Sequence, residues 1–373
     1  SLKHCISAGA GVSALYLFFQ VHAFWVLLLC ALSYLLLHLN QRSGSCQMVV
    51  AMKVISLAFD LDSGAVSQMP SLPQFLGYVL FVGSAVFGPW TSFSHYMNAV
   101  DGKALVSQMP SPAHTSLLKS LLCLVVSSCV APYLFPAIIP ISGGELTDRW
   151  VLALTVGRNQ WLRAYENAVS FHFSNYFVGH LSEVTSMLAG AGFTQDKEDM
   201  RVVIPLHVEL PRSLVLVVTS WNIPMSQWLK TYVFKNAMRL GTFSAILVTY
   251  TASALLHGLS FHLGAVLLSL GFLTYTEHVL RKKLAAILSG CVLSRPCPSG
   301  CSHQHKKDFW VVGLNLCFSF LAVLHLTYLG SMFDPGLMEE EGYAAAHTLQ
   351  RWSELHWTSH WIVILSWIIS HII

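Results

Sequence analysis

Hydrophobic residues in this chain gather in long unbroken runs, and short polar connectors separate them. Runs at residues 14–39, 75–88, 117–139, 243–280, 309–329 and 357–373 approach or exceed the roughly 20 residues that carry a helix across a bilayer. Shorter or more polar segments at 48–59, 164–181 and 213–220 extend the series. The pattern predicts an all-α, polytopic membrane helix bundle of roughly eight to ten embedded segments. No period of 20 to 50 residues repeats, so a solenoid is excluded and residues 1–373 read as one membrane domain. The least hydrophobic stretches, 94–116, 142–163, 193–212, 294–307 and 334–350, are the expected exposed loops. Pro70, Pro73, Pro110 and Pro112 bound apolar runs, as loops at a bilayer surface do.

Composition agrees with this pattern. Hydrophobic residues make up 54% of the chain and charged residues 10%, with a mean hydropathy of +0.58. A soluble domain carries about a quarter charged residues. The formal net charge of +3 and the lack of a long basic tract exclude a nucleic-acid partner and leave the lipid bilayer as the surroundings. The basic residues instead report topology. Arg281-Lys282-Lys283, Arg295 and Lys306-Lys307 share one loop, while Lys230, Lys235 and Arg239 precede the run at 243–280. The positive-inside rule places both ends of that run in the cytosol. As one helix the run would extend roughly 55 Å against a hydrocarbon core of about 30 Å, so a break near Gly258 is expected. His257 would then lie about 20 Å along a helix from its basic end, deep in the protein. The nine cysteines are scattered, several inside apolar runs (Cys30, Cys123, Cys129, Cys317), and do not form a secreted disulfide framework.

Several polar groups stand out against this background. Tyr250, Ser253 and His257 follow i, i+3, i+7 spacing and share one helix face, with Leu256 beside them. Such a stripe either packs against another helix or lines a site, and an ionisable group at membrane depth favours the site. Upstream lies W-N-I-P-M-S-Q-W, from Trp221 to Trp228. Asn222 before Pro224 suits a helix N-cap, and a fixed amide there can also orient an imidazole or donate to an oxyanion. Trp228, Tyr232, Lys235 and Arg239 share a face that is aromatic and then basic, fit for lipid headgroups or for the phosphates of a nucleotide-like molecule such as coenzyme A. In the polar segment 165–177, Asn167, Ser170 and Ser174 form a stripe flanked by Glu166, His172 and Asn175. Groups of this kind cannot face lipid and are expected to line a wall. Cys291, Cys297, Cys301, His303 and His305 share one loop, but Cys297-x3-Cys301-x-His303 is tighter than common zinc spacings. No metal site is assigned, and reduced or lipid-modified thiols are expected.

The W-N-I-P-x-x-x-W stretch, followed by a His inside a hydrophobic helix, resembles the signature of the membrane-bound O-acyltransferases. Further stretches carry the resemblance over nearly the whole chain: F-G-P-W (87–90), W-L-R-A-Y-E (161–166), V-S-F-H-F-S-N-Y-F-V-G (169–179), V-E-L-P-R-S (208–213), Y-V-F-K-N-A (232–237), S-A-L-L-H-G (253–258) and E-H-V-L-R-K (277–282). They are closest to the branch that acylates protein serines. The resemblance implies a multi-pass enzyme of the endoplasmic-reticulum membrane, built around a central acyl-transfer chamber. It would transfer a palmitoleoyl group from acyl-CoA, a co-substrate and not a bound cofactor, to a serine of Wnt proteins. It further implies His257 as general base and Asn222 as positioning or oxyanion group. Trp221, Trp228, Lys235, Arg239, Tyr250, Ser253 and Leu256 would contact the substrates. Relative to that family, the chain is expected to be shortened at its N-terminus and between Arg42 and Gln47, and 145–160 lacks a strongly basic run. Two rival readings remain: a small lipid or sterol as acceptor, and a transporter or receptor in which His257 relays protons.

Overall fold

The computed structural model describes residues 44–85, 88–101, 110–134, 149–190, 201–258, 260–298, 300–333 and 345–373. The expected run at 14–39 lies outside the described residues, as do Phe87 and parts of the expected loops, 102–109, 142–148, 193–200 and 334–344. Both segments that carry the predicted chemistry lie in one compact unit, Val49–Ile373.

Helices dominate. In chain order they are α1 (Gly44–Asp62), α2 (Leu72–Val79), α3 (Val82–Ala85), α4 (Phe93–Asp101), α5 (Pro110–Val125), α6 (Arg149–Leu188), α7 (Leu206–Glu209), α8 (Leu214–Trp221), α9 (Ile223–Trp228), α10 (Lys235–Ala237), α11 (Thr242–Leu256), α12 (Phe261–Ile287), α13 (Phe309–Gly330), α14 (Ala345–Glu354) and α15 (Thr358–Ile372). Wider π-type turns continue α5 through Val126–Leu134, around Pro132, and α9 through Leu229–Phe234. Among the described residues, β structure is limited to one isolated bridge between Gly290 and His305. The protein is an all-α, polytopic membrane fold. Among the described residues, three stretches are long and apolar enough to cross a membrane, Ala113–Tyr133, Phe261–Ile287 and Phe309–Gly330, and α11 and α15 are shorter apolar helices.

The long run at 243–280 divides where expected. α11 stops after Leu256, Gly258 adopts φ +102°, and α12 starts at Phe261. The two helices pack against each other, and Gly271 lets them approach closely. A Cβ at Gly271 would lie 2.8 Å from ring carbons of Tyr250. On α11, Leu247, Val248 and Leu255 are exposed while Ala245 and Ser253 are buried. The stripe is thus buried at Ser253, half-buried at Tyr250 and exposed at its His257 end, while the leucines lie on the exposed side of the helix.

The run at 75–88 does not form a span. Ser71 N–H donates to the Gln74 side chain at 2.9 Å and starts α2, which ends after Val79 because Lys53 of α1 takes its last carbonyls. Lys53 Nζ donates to Tyr78 O (2.8 Å), Val79 O (3.3 Å) and Ser84 Oγ (2.7 Å) with no solvent exposure. A cation on the carbonyl end of a helix satisfies groups that would otherwise be orphaned. Four expected loops are also partly helical: α4 and the start of α5 fall in 94–116, α6 begins at Arg149, α7 falls in 193–212, and α14 begins at Ala345. Polar composition alone misled there, because a helix that buries only a narrow face needs few apolar residues.

Helix α6 turns a different stripe inward from the one expected. Ala164, Ala168, His172, Tyr176, His180 and Glu183 are buried, whereas Asn167 and Ser170 are half-buried and Ser174 is exposed. Small residues set this choice, since Gly330 of α13 sits so close that a Cβ there would lie 2.6 Å from that of Ala168. Glu183 is fully satisfied, accepting from Ser116 Oγ (2.8 Å) and Val202 N (2.8 Å) and lying 3.1 Å from His180 Nδ1.

Candidate active site

Two segments carry the predicted chemistry, and they are built in different ways. The first is the junction between α8 and α9. Ser213 caps α8: its Oγ accepts from Leu216 N at 3.2 Å and donates to Ser294 O at 2.8 Å. The helix ends at Trp221 because Asn222 is extended (φ −147°, ψ 91°) and Pro224 follows in the first turn of α9. Asn222 Oδ1 accepts from Met225 N at 3.1 Å, a side-chain N-cap of the ordinary kind. Backbone bonds from Ile223 N to Val202 O (2.8 Å) and from Ile204 N to Ser220 O (3.0 Å) pin the junction from outside.

Trp221 is held by aromatic neighbours from α6. Its ring lies 5.2 Å from His172, 5.7 Å from Tyr176 and 6.0 Å from Phe171. Behind them, Glu209 Oε1 accepts from Tyr176 OH at 2.6 Å and lies 2.9 Å from His172 Nδ1. Burial pushes the Glu209 carboxyl up, but its bonds with His172 and Tyr176 outweigh this and leave it below the usual carboxylate range. An ionised carboxylate thus anchors the wall behind Trp221.

The second segment is the C-terminal end of α11. Ser253 is buried, while Tyr250 and Leu256 are half-buried. His257 caps the helix through its backbone N–H, which donates to Ser253 O at 3.1 Å. His257 itself is exposed, although surrounding protein atoms desolvate its imidazole in part. Among the described residues, neither ring nitrogen of His257 nor Nδ2 of Asn222 takes a hydrogen bond. The stripe expected from sequence and the amide before Pro224 therefore both present uncommitted polar atoms.

Contacts join the two segments. The turn Leu229–Phe234 after α9 packs on α11, and α8 packs on α12. A ladder of rings also runs from Trp221 to the start of α12. Trp221 stacks on Phe171 at 6.0 Å, Phe171 on Phe333 at 3.8 Å, and Phe333 meets His262 at 6.0 Å. His262 lies just past the turn that carries His257.

The expected aromatic and basic face divides. Trp228 is 3% exposed, and its Nε1 donates to Met52 O at 2.9 Å. Tyr232 OH donates to Asp60 at 2.9 Å. Both rings serve packing against α1, while Lys235 and Arg239 remain exposed. Sequence reasoning undervalued His172, Tyr176 and Glu209, and it did not find the bonded pairs His325–Ser359 (2.6 Å) and Tyr328–His360 (3.0 Å). Their available signal was burial at every fourth position of α6, which small residues disclose, and histidines inside apolar runs.

An imidazole and an amide, both without side-chain donors spent among the described residues, thus lie on adjoining elements of a membrane helix bundle. The chain matches the model of MBOAT, the membrane-bound O-acyltransferase family, over residues 12–282, a stretch that contains both Asn222 and His257. It belongs to that family and is an acyltransferase. More particularly, it is 53% identical over 410 residues to the human protein-serine O-palmitoleoyltransferase porcupine, covering 100% of this chain and 89% of the human one. The mouse porcupine is 52% identical over the same shares of the two chains. That of Anopheles gambiae is 35% identical over 360 residues, or 89% of this chain and 69% of the mosquito protein. The alignment to the human relative, 410 positions, is longer than this chain, so the relative carries segments that this chain lacks.

Proposed function

We propose that the chain transfers a palmitoleoyl group from acyl-CoA to a serine hydroxyl of Wnt proteins in the endoplasmic-reticulum membrane, with His257 as general base. In one step the serine oxygen attacks the thioester carbonyl while His257 takes the hydroxyl proton. The carbon–sulfur bond then breaks, and the proton on His257 passes to the departing coenzyme A sulfur. A positioned base of this kind is worth about 10² to 10⁴-fold. Asn222 Nδ2 donates to the carbonyl oxygen as negative charge gathers there, while Oδ1 keeps the amide fixed on Met225 N. No acyl-enzyme is required, because the base and the donor act directly on the acceptor hydroxyl and the thioester.

Tyr250, Ser253 and Leu256 line the chamber, and Trp221 closes its far side through the ring ladder. The exposed Lys235 and Arg239 receive the coenzyme A phosphates at the basic end of α11, while Trp228 holds that segment in place from within. The observation that carries the reading is the pair of uncommitted polar groups on elements that pack together. The names of the 53% and 52% identical relatives support the acyl group and the serine acceptor. The test is transfer of labelled palmitoleoyl from coenzyme A to a Wnt-derived serine peptide, run beside a lysophospholipid acceptor. Labelled peptide is expected, and label in the phospholipid alone would replace this reading with the lipid-acceptor one.

A further inference from the structure

The loop between α12 and α13 is bound to the rest of the fold at many points. Cys291 N donates to His305 O (2.9 Å) and His305 N to Ser289 O (3.0 Å), closing the loop on itself. Arg212 donates to Cys291 O (2.7 Å) and Leu293 O (3.1 Å), and Asn315 to Cys291 O (3.1 Å). Within this frame, Pro296, Pro298 and Gly300 fold the middle of the loop back, and Cys301 N donates to Pro298 O at 3.1 Å. The result brings together four side chains that are separated along the chain.

The ligand atoms of Cys291, Cys297, Cys301 and His303 all lie within 4.8 Å of one another. Cys291 Sγ and Cys301 Sγ are 3.5 Å apart, and Cys297 Sγ is 3.7 Å from His303 Nδ1. A tetrahedral zinc site with Zn–S of about 2.3 Å and Zn–N of about 2.05 Å has S···S edges of about 3.8 Å and S···N edges of about 3.6 Å. Both separations sit close to those edges. The sulfur separation is also far beyond the roughly 2.05 Å of a disulfide.

We propose that Cys291, Cys297, Cys301 and His303 bind one structural zinc ion that clamps the α12–α13 loop. Three thiolates and an imidazole are the soft donor set that selects zinc over magnesium or calcium. Four protein ligands close the coordination sphere, which marks a structural site and not a catalytic one. The three thiolates with the ion carry one net negative charge, and Arg212 and Lys306 border the same cavity as the three cysteines. Arg295, Lys306 and Lys307 place the loop on the cytosolic side, where thiols stay reduced and available to a metal. His305 stands outside the set and pairs with Asp308. The tight Cys297-x3-Cys301-x-His303 spacing is accommodated because the proline-rich turn reverses the chain between ligands. The clamp also bears on the acyl-transfer site, since Ser213, the cap of α8, donates to Ser294 O of this loop. That helix leads directly to Trp221 and Asn222.

The test is elemental analysis of the full chain, purified in detergent in metal-free buffer without added zinc. One zinc per chain is expected, released in step with titration of thiols by a mercurial. Replacing zinc with cobalt should give the visible absorption of a tetrahedral, thiolate-rich site. Cys297→Ser and His303→Ala should each lose most of the metal, while Cys317→Ser, outside the cluster, should keep it. Because the variants can fail to fold, the wild-type protein decides. Less than a tenth of an equivalent of zinc in folded wild-type chain, or a Cys291–Cys301 disulfide or acylated thiols found by mass spectrometry, overturns the proposal.

Discussion

Asn222 accepts the Met225 backbone N–H at 3.1 Å through Oδ1, so its side chain caps α9 through the oxygen and leaves the amide N–H2 unspent among the described residues. Capping and catalysis can be separated by substitution. Asn222→Asp keeps a capping oxygen and loses the donor, whereas Asn222→Ala loses both. The Ala variant is expected to be less stable by about 1 kcal/mol, and the Asp variant to match the wild type in thermal unfolding. Acyl transfer should fall by about 10²-fold or more in both. Activity that tracked stability, with Asp near wild type, would reduce Asn222 to a cap.

Glu209 links the sign of a charge to the wall behind Trp221. Its folded-state pKa lies below the ordinary 4.5, so its stabilising contribution is present above that value and is lost as pH falls through the folded value. Wild-type protein should therefore lose thermal stability on acidification below about pH 4.5, and Glu209→Gln should lose less over the same range while starting from a lower value. Parallel acid profiles for the two proteins would show that this carboxylate is not held ionised by His172 and Tyr176.

Arg281 is a hub, although the residue after it, Lys282, is exposed. Its guanidinium has no solvent exposure and donates to Arg212 O (3.1 Å), Leu293 O (3.2 Å), Asn315 Oδ1 (2.8 Å) and Glu277 Oε1 (3.3 Å). It also lies 4.5 Å from the centre of the Phe318 ring. Removing one partner of a buried pair costs about 3 to 5 kcal/mol. Arg281→Ala should accordingly yield little monodisperse protein on size exclusion, while Lys282→Ala should behave as wild type.

Hydrophobic run length made the helical membrane fold legible, and helix length against bilayer thickness located the break at Gly258. Charge clustering was less decisive. Arg281, read from sequence as a topology marker together with Lys282 and Lys283, is buried as a structural hub, because nothing in a single sequence distinguishes a guanidinium with four acceptors from one in water. The same holds for Lys53, whose carbonyl partners in α2 split an apolar run that looked long enough to span. His257 and Asn222 could be singled out because an ionisable group in an apolar run and an Asn before Pro are local signals. The partnership of His172, Tyr176 and Glu209 is not local, and neither is the convergence of Cys291 with His303, which depends on how a proline-rich turn folds back. Trp228 was drawn toward the substrate by its spacing with Lys235 and Arg239, yet helix spacing does not specify which face meets α1.

The proposed mechanism turns on His257 removing the acceptor proton. Single-turnover transfer of labelled palmitoleoyl from coenzyme A to a serine peptide, compared between wild type and His257→Ala at matched folded protein and with acyl-CoA binding measured separately, tests it most directly. A fall of about 10² to 10⁴-fold with acyl-CoA affinity unchanged is expected. Turnover by His257→Ala within a few-fold of wild type would contradict that role.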